Sequence, residues 1–214
     1  MVRALSRRTF TAAAALSALA GFTDGFGFVY LGGYFVSFMS GNTTRASVDL
    51  VSADLGFAGA AFLLIASFVV GAMCGTVVPG GRGRGETRVL AGVTVVLTLA
   101  AATTLQPWTW LTGALLAFSM GALNTVFARG GEVSFGITYM TGALVKLAQA
   151  IVAALRGGPA WGWVRYLVLW ASIAAGAVLG AGAYTAFGPA ALWFAPAVLA
   201  VGLAVPPARA WLHV

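Results

Sequence analysis

The sequence predicts an all-α integral membrane protein of about six transmembrane helices, built as two inverted three-helix repeats, each with a broken or re-entrant short helix. Three observations carry this expectation. Hydrophobic residues make up 60% of the chain and charged ones 8%, against about 25% charged in a soluble domain. Apolar runs recur at the roughly 20 helical residues that a bilayer core requires. Blocks of the first half also return in the second half, in the same order.

Six main spans are expected over residues 9–30, 56–78, 89–105, 108–127, 163–187 and 190–204. Turn chemistry separates them: "PGGRGRGE" from Pro79, Gln106-Pro107, "GGP" at 157–159 and "GP" at 188–189. Two further helical pieces, 41–51 and 142–155, follow spans one and four. The first carries Asn42, Thr43, Thr44, Arg45, Ser47 and Asp49 and is too polar and too short to cross lipid alone. The second is more apolar. Six spans with the N-terminus inside place every lysine and arginine on or toward the cytoplasmic side except Arg45. Eight spans would move the "GRGRGETR" loop and Arg129 outside, so the positive-inside rule favours six. Trp108 and Trp110 then anchor the outer interface, with Trp161, Trp163 and Trp211 near the inner one.

The internal repeat rests on three matches. "ASFVVGAMCG" (66–75) corresponds to "ASIAAGAVLG" (171–180), each with a G-x-x-x-G step, Gly71/Gly75 and Gly176/Gly180. Such steps let helix backbones approach closely in lipid. "GFTDG" (21–25) corresponds to "GALNT" (121–125), which sets Asp24 opposite Asn124. "FVSFMSGNTTR" (35–45) corresponds to "GITYMTGALVK" (136–146). The halves divide at residues 1–106 and 107–214, together forming one membrane domain. Three spans per half is an odd number, so the second half enters the membrane inverted, a plan common among secondary transporters.

The third pair of blocks holds the candidate site. Ser40 and Thr141 have N-cap chemistry, with Gly41 and Gly142 after them. The start of a short helix exposes unpaired N–H groups and partial positive charge. Arg45 and Lys146 lie little more than a turn in, where that field disfavours a cation. Asp24 and Glu132 are candidate compensating charges. The alternative is an anionic ligand held between two helix starts and two cations. On that reading Ser40, Gly41, Asn42, Thr43, Arg45, Thr141, Gly142 and Lys146 bind substrate. A carboxylate in mid-span is costly and usually serves the protein interior. Asp24, matched by Asn124, therefore either pairs with Arg45 or carries a coupling proton. Gln149 and Tyr139 are weaker lining candidates.

Other function classes find less support. The net charge of +7 comes from cations scattered at segment ends, so nucleic acid is not expected as a partner. The single cysteine, Cys74, and the single histidine, His213, supply neither a disulfide nor a metal-ligand set, and no metal or cofactor is expected. No nucleophile elbow or catalytic triad is present, so an enzyme is not expected. "SRRTFTAAAALSALAG" is similar to a twin-arginine export signal. Cleavage would delete most of span one, whose partner in the repeat is no signal, so processing is not expected.

"AGFTDGFGFVYLGGYFVSFMSGNTTR" and "GALNTVFARGGEVSFGITYMTGALVKLAQAI" together resemble the two signature blocks of the YoaK-type bacterial membrane proteins. The resemblance implies a cytoplasmic-membrane protein of about six spans and supplies no activity. The function expected first is a small-solute transporter or channel, an anion being one candidate solute, with a midplane site between two half-helix N-termini. A non-transporting scaffold or sensor subunit is the alternative. The expected partners are the lipid bilayer and the solute, and the G-x-x-x-G faces are compatible with a homodimer.

Overall fold

The structure is a computed structural model that describes residues 6–78, 84–129, 132–133, 138 and 140–204. Arg3, Arg82, Arg209, Tyr139, Trp211 and His213, and the side chains of Arg84, Arg129 and Glu132, lie outside the described set. Eight α-helices are present among the described residues: α1 Arg7–Tyr30, α2 Met39–Val51, α3 Leu55–Val77, α4 Arg84–Thr103, α5 Thr109–Asn124, α6 Met140–Leu155, α7 Val164–Phe187 and α8 Phe194–Ala204. A two-residue hairpin, β1 Ala128–Arg129 with β2 Glu132–Val133, follows α5. Four segments are long and apolar enough to cross a membrane: Arg7–Tyr30, Leu55–Val77, Gly85–Thr103 and the run Val164–Ala204. That last run is broken at Gly188, whose φ of +60° suits glycine. A 3-10 turn, Gly188–Trp193, carries the chain over, and α8 packs back on α4.

Side-chain caps set two of the helix starts. Ser6 caps α1 through Thr9 N–H at 3.1 Å, and Asp54 caps α3, accepting from Phe57 N–H at 3.5 Å. The Gln106-Pro107 break folds α4 against α5, and the hydroxyls of Thr103 and Thr112 meet across it at 2.8 Å.

Two glycine crossings organise the bundle. In the first, Gly21 and Gly25 of α1 lie against the backbone of Ile173 and Ala177 in α7, while Gly176 and Gly180 lie against Ala18 and Phe22. Advancing along one helix advances along the other, so α1 and α7 run parallel. In the second crossing, Gly71 and Gly75 of α3 meet the backbone of Phe118 and Ala122 in α5, and Gly121 meets Phe68. These two helices are also parallel, and both crossings have the same register. Each pairs a helix from one half of the chain with a helix from the other half.

The two parallel pairs oppose each other. At Gly113, near the start of α5, a Cβ would lie 3.0 Å from Leu31, just beyond the end of α1, and 3.1 Å from Leu64 of α3. The Tyr34 ring, also past the end of α1, meets Trp110 at 5.4 Å and Phe57 at 6.4 Å. The end of α1 therefore faces the starts of α3 and α5. The centre is filled by Phe26, Leu64, Leu97, Leu116, Met120 and Leu123, all fully buried.

The crossings give a direct test. Valine at Gly176 or Gly71 must displace backbone, and is expected to cost about 3 kcal/mol or more, the upper end of overpacking penalties. Gly59→Val and Gly182→Val, where nothing lies within 4 Å, are expected to leave stability nearly unchanged. Thermal melting in detergent, read by monodispersity, distinguishes the two classes.

Candidate functional site

The short helix α2 begins beside the interior of α1, and α6 begins beside the end of α5. Past Tyr30 the chain turns through Gly32 and Gly33, at φ of +68° and +98°, and dips back along α1. Val36 packs on Gly27, and Val36 and Ser37 reach the level of Asp24. Asp24 lies six residues before the end of α1, about 9 Å along its axis. One carboxylate oxygen accepts from Val36 N–H at 2.9 Å and Ser37 N–H at 3.0 Å; the other accepts from the Ser37 hydroxyl at 2.8 Å. Asn42 then closes on the peptide of Phe35. Its side-chain oxygen accepts from Phe35 N–H at 3.0 Å, and its amide donates to Phe35 C=O at 2.6 Å. From there α2 climbs until Asp49 accepts from the Tyr34 hydroxyl at 3.2 Å. The segment is a hairpin that turns back along α1 and then returns toward the end of the bundle where α1 finishes.

A second fastening of this kind precedes α6. Asn124, at the end of α5, accepts from both Thr138 N–H at 3.3 Å and the Thr138 hydroxyl at 3.2 Å. Its amide is held by Met120 C=O at 2.8 Å. Ser37 and Thr138 occupy matching places in the two blocks. From its start, α6 runs toward the beginnings of α1 and α7, where Ala150 packs with Ala13, Tyr166 and Leu169. The two short helices therefore start beside Asp24 and Asn124 and leave toward opposite ends of the bundle.

Several expectations change. Ser40 and Thr141 are not N-caps: α2 begins at Met39 after Phe38, which makes no side-chain cap, and α6 begins at Met140. The reason is that Phe38 C=O accepts from Gly41 N–H at 3.1 Å and Asn42 N–H at 3.3 Å, so the helix has started before the hydroxyl arrives. Asp24 does not pair with Arg45. Its acceptors are taken by the hairpin, while Arg45 donates to Gly33 C=O at 3.0 Å and lies 4.3 Å over the Tyr34 ring. Asn42 is fully buried, with both ends of its amide engaged by Phe35. Thr43, Thr44 and Ser47 turn their hydroxyls back onto the carbonyls of Met39, Ser40 and Thr43. Ser40, Thr141, Lys146 and Gln149 are exposed, Gly41 is half-buried and Gly142 is buried. Arg45 and Lys146 lie on helices that point opposite ways, so the structure does not bring them together around one anion.

Sequence reasoning missed Ser37, Thr138 and Tyr34. The first two had a signal, since a hydroxyl stands two residues before Met39-Ser40-Gly41 and before Met140-Thr141-Gly142 alike. Tyr34 had none, because its role comes from its neighbours. Grooves of about 410 Å³ along Phe68–Val77 and about 550 Å³ at Pro107–Leu111 reach neither Ser40 nor Thr141.

The model of a family described as a protein of unknown function (DUF1275) matches residues 12–205. The chain belongs to the DUF1275 family. A UPF0700 transmembrane protein of Rhizobium meliloti (strain 1021), RA0705, is 38% identical over 180 residues, covering 84% of this chain and 78% of the relative. No solved structure matches. The resemblance to YoaK-type proteins is thereby borne out, and this DUF1275 chain is a helical membrane protein. Both fastenings fall inside the matched residues.

Substitution at Asp24 measures the first fastening. Asp24→Leu strands three donors and is expected to cost upward of about 3 kcal/mol, at about 1–3 kcal/mol per unsatisfied group. Asp24→Asn, which can accept as Asn124 does, is expected to cost about 1 kcal/mol or less. Thermal melting of the purified variants checks both values.

Proposed function

We propose that the chain is a small-solute transporter or channel of the bacterial cytoplasmic membrane, with six spans and two inverted halves. The spans are α1, α3, α4, α5, α7 and the turn with α8; α2 and α6 enter from opposite sides without crossing. The basic residues favour cytoplasmic N- and C-termini. One observation carries the reading: two short helices start deep in the bundle and leave it in opposite directions. Non-helical backbone at that depth is expensive in lipid and is kept where it lines a path or is buried in protein. The matching registers of the two glycine crossings support the inverted repeat.

The filled centre makes this a closed conformation, so passage requires the two parallel pairs to shift against each other. Ser40 and Thr141, exposed at the starts of the short helices, are the residues that would meet solute from opposite sides. Arg45 and Lys146 sit further along, one toward each surface, where they would act at the two mouths. The bonding of Asp24 favours a structural role over proton coupling. A scaffold or sensor reading draws support from the hydroxyls of Thr43, Thr44 and Ser47, which are satisfied within their own helix.

Two measurements test the proposal. With Cys74 replaced by Ala, Ser40→Cys and Thr141→Cys are expected to react with a membrane-impermeant thiol reagent from opposite sides; labelling of both from one side overturns the inverted arrangement. Proteoliposomes exposed to a panel of small polyols, amides and monovalent anions are expected to swell faster than protein-free vesicles for at least one solute. Equal rates throughout would leave the scaffold reading standing instead.

A further inference from the structure

Four arginines gather at the end of the bundle where α1 and α7 begin. Arg7 and Arg8 open α1, Arg156 follows α6, and Arg165 lies in the first turn of α7. The three elements are tied together there. Phe10, Leu147 and Trp163 pack on the cluster of Ala13, Ala150, Tyr166 and Leu169, and the Arg165 guanidinium lies 5.1 Å from the centre of the Phe10 ring.

Parallel α1 and α7 bring two partial positive helix ends to the same side, neither has an acidic residue in its first turn, and α7 has no side-chain cap. Arg7, Arg8 and Arg165 are thus placed against the dipoles of their own helices. Among the acidic side chains described, Asp49 and Asp54 are at the other end, Asp24 is interior, and Glu86 on α4 is at this end.

Apolar surface runs from the arginines toward the hydrocarbon. Trp161 is 77% exposed and stacks on Trp163 at 6.4 Å, while Leu155, just before Arg156, is 82% exposed. Tryptophan beside arginine, with a bare aliphatic face adjoining, fits a molecule that is anionic at one end and a hydrocarbon chain at the other. A free anion would use the arginines and leave the tryptophan and leucine faces unexplained. We propose that this surface binds the phosphate headgroup of an anionic phospholipid, with an acyl chain lying along α6. The site is independent of whether the protein transports a solute.

Native mass spectrometry of the full chain, released from mixed phosphatidylglycerol and phosphatidylcholine, tests the site. Phosphatidylglycerol is expected to be retained selectively and to be lost as ionic strength rises. Arg7→Ala with Arg8→Ala, or Arg156→Ala alone, is expected to weaken that retention about fivefold per arginine, roughly twenty- to thirtyfold for the pair. Phosphatidylcholine retention should not move, and the corresponding lysine variants should keep phosphatidylglycerol. Equal retention of the two lipids by the native chain overturns the proposal, as does salt-independent retention, and both can be read without any variant. Alanine variants that hold phosphatidylglycerol like the native chain overturn it too. Stabilisation by inorganic phosphate equal to that by phosphatidylglycerol would assign the arginines to a free anion instead, and also overturns it.

Discussion

Inside lipid, a peptide group that leaves a helix must find a partner within the protein, because no water is at hand to supply one. This single constraint explains the polar residues that interrupt an otherwise apolar chain. Asp24 takes two N–H groups and a hydroxyl, Asn42 takes both polar groups of Phe35, and Asn124 takes the N–H and hydroxyl of Thr138. Without them, the polar groups of Phe35, Val36, Ser37 and Thr138 that they engage would be left without these partners inside the protein, where desolvation is costly. Residues that first suggest solute chemistry are, in good part, the fastenings that hold the starts of the short helices against α1 and α5.

The glycine crossings set the frame around these fastenings. Lipid tails are as apolar as leucine, so helices in a bilayer gain from close backbone contact rather than from burying hydrophobic surface. Gly21, Gly25, Gly176 and Gly180 supply that contact on one side, and Gly71, Gly75 and Gly121 on the other. Because each crossing joins one half of the chain to the other, neither half is a self-contained bundle. The hairpins are tied in more locally: Asp24 and Asn124 each hold the loop that follows their own helix, while α2 packs on α3 and α6 on α7.

The halves are matched in outline and differ in polarity. Asp24 corresponds to Asn124, Asn42 to Ala143, and Gly25 to Thr125. The α2 hairpin is thus held by a carboxylate and an amide, and the described fastening of α6 by one amide. Tyr34 adds a further tie on the α2 side, with Asp49 bonded to its hydroxyl and Arg45 over its ring.

The sequence by itself determined the helical class, the membrane setting and nearly all helix positions, since a bilayer imposes length and apolarity on each segment separately. It also placed the short helices to within two residues and picked out Asp24, Asn124 and the paired glycines, because such residues are conspicuous in an apolar chain. It did not determine who binds whom. For Asp24 the sequence left pairing with Arg45 and carrying a coupling proton both legible, and spacing along the chain does not say how far a loop dips back. Only the tertiary structure sent Asp24 to Val36 and Ser37, closed Asn42 on Phe35, and aimed Arg45 and Lys146 at opposite ends. The physical reason is that hydrogen bonds depend on where separate helices bring their groups in space, and that follows from which glycine faces meet.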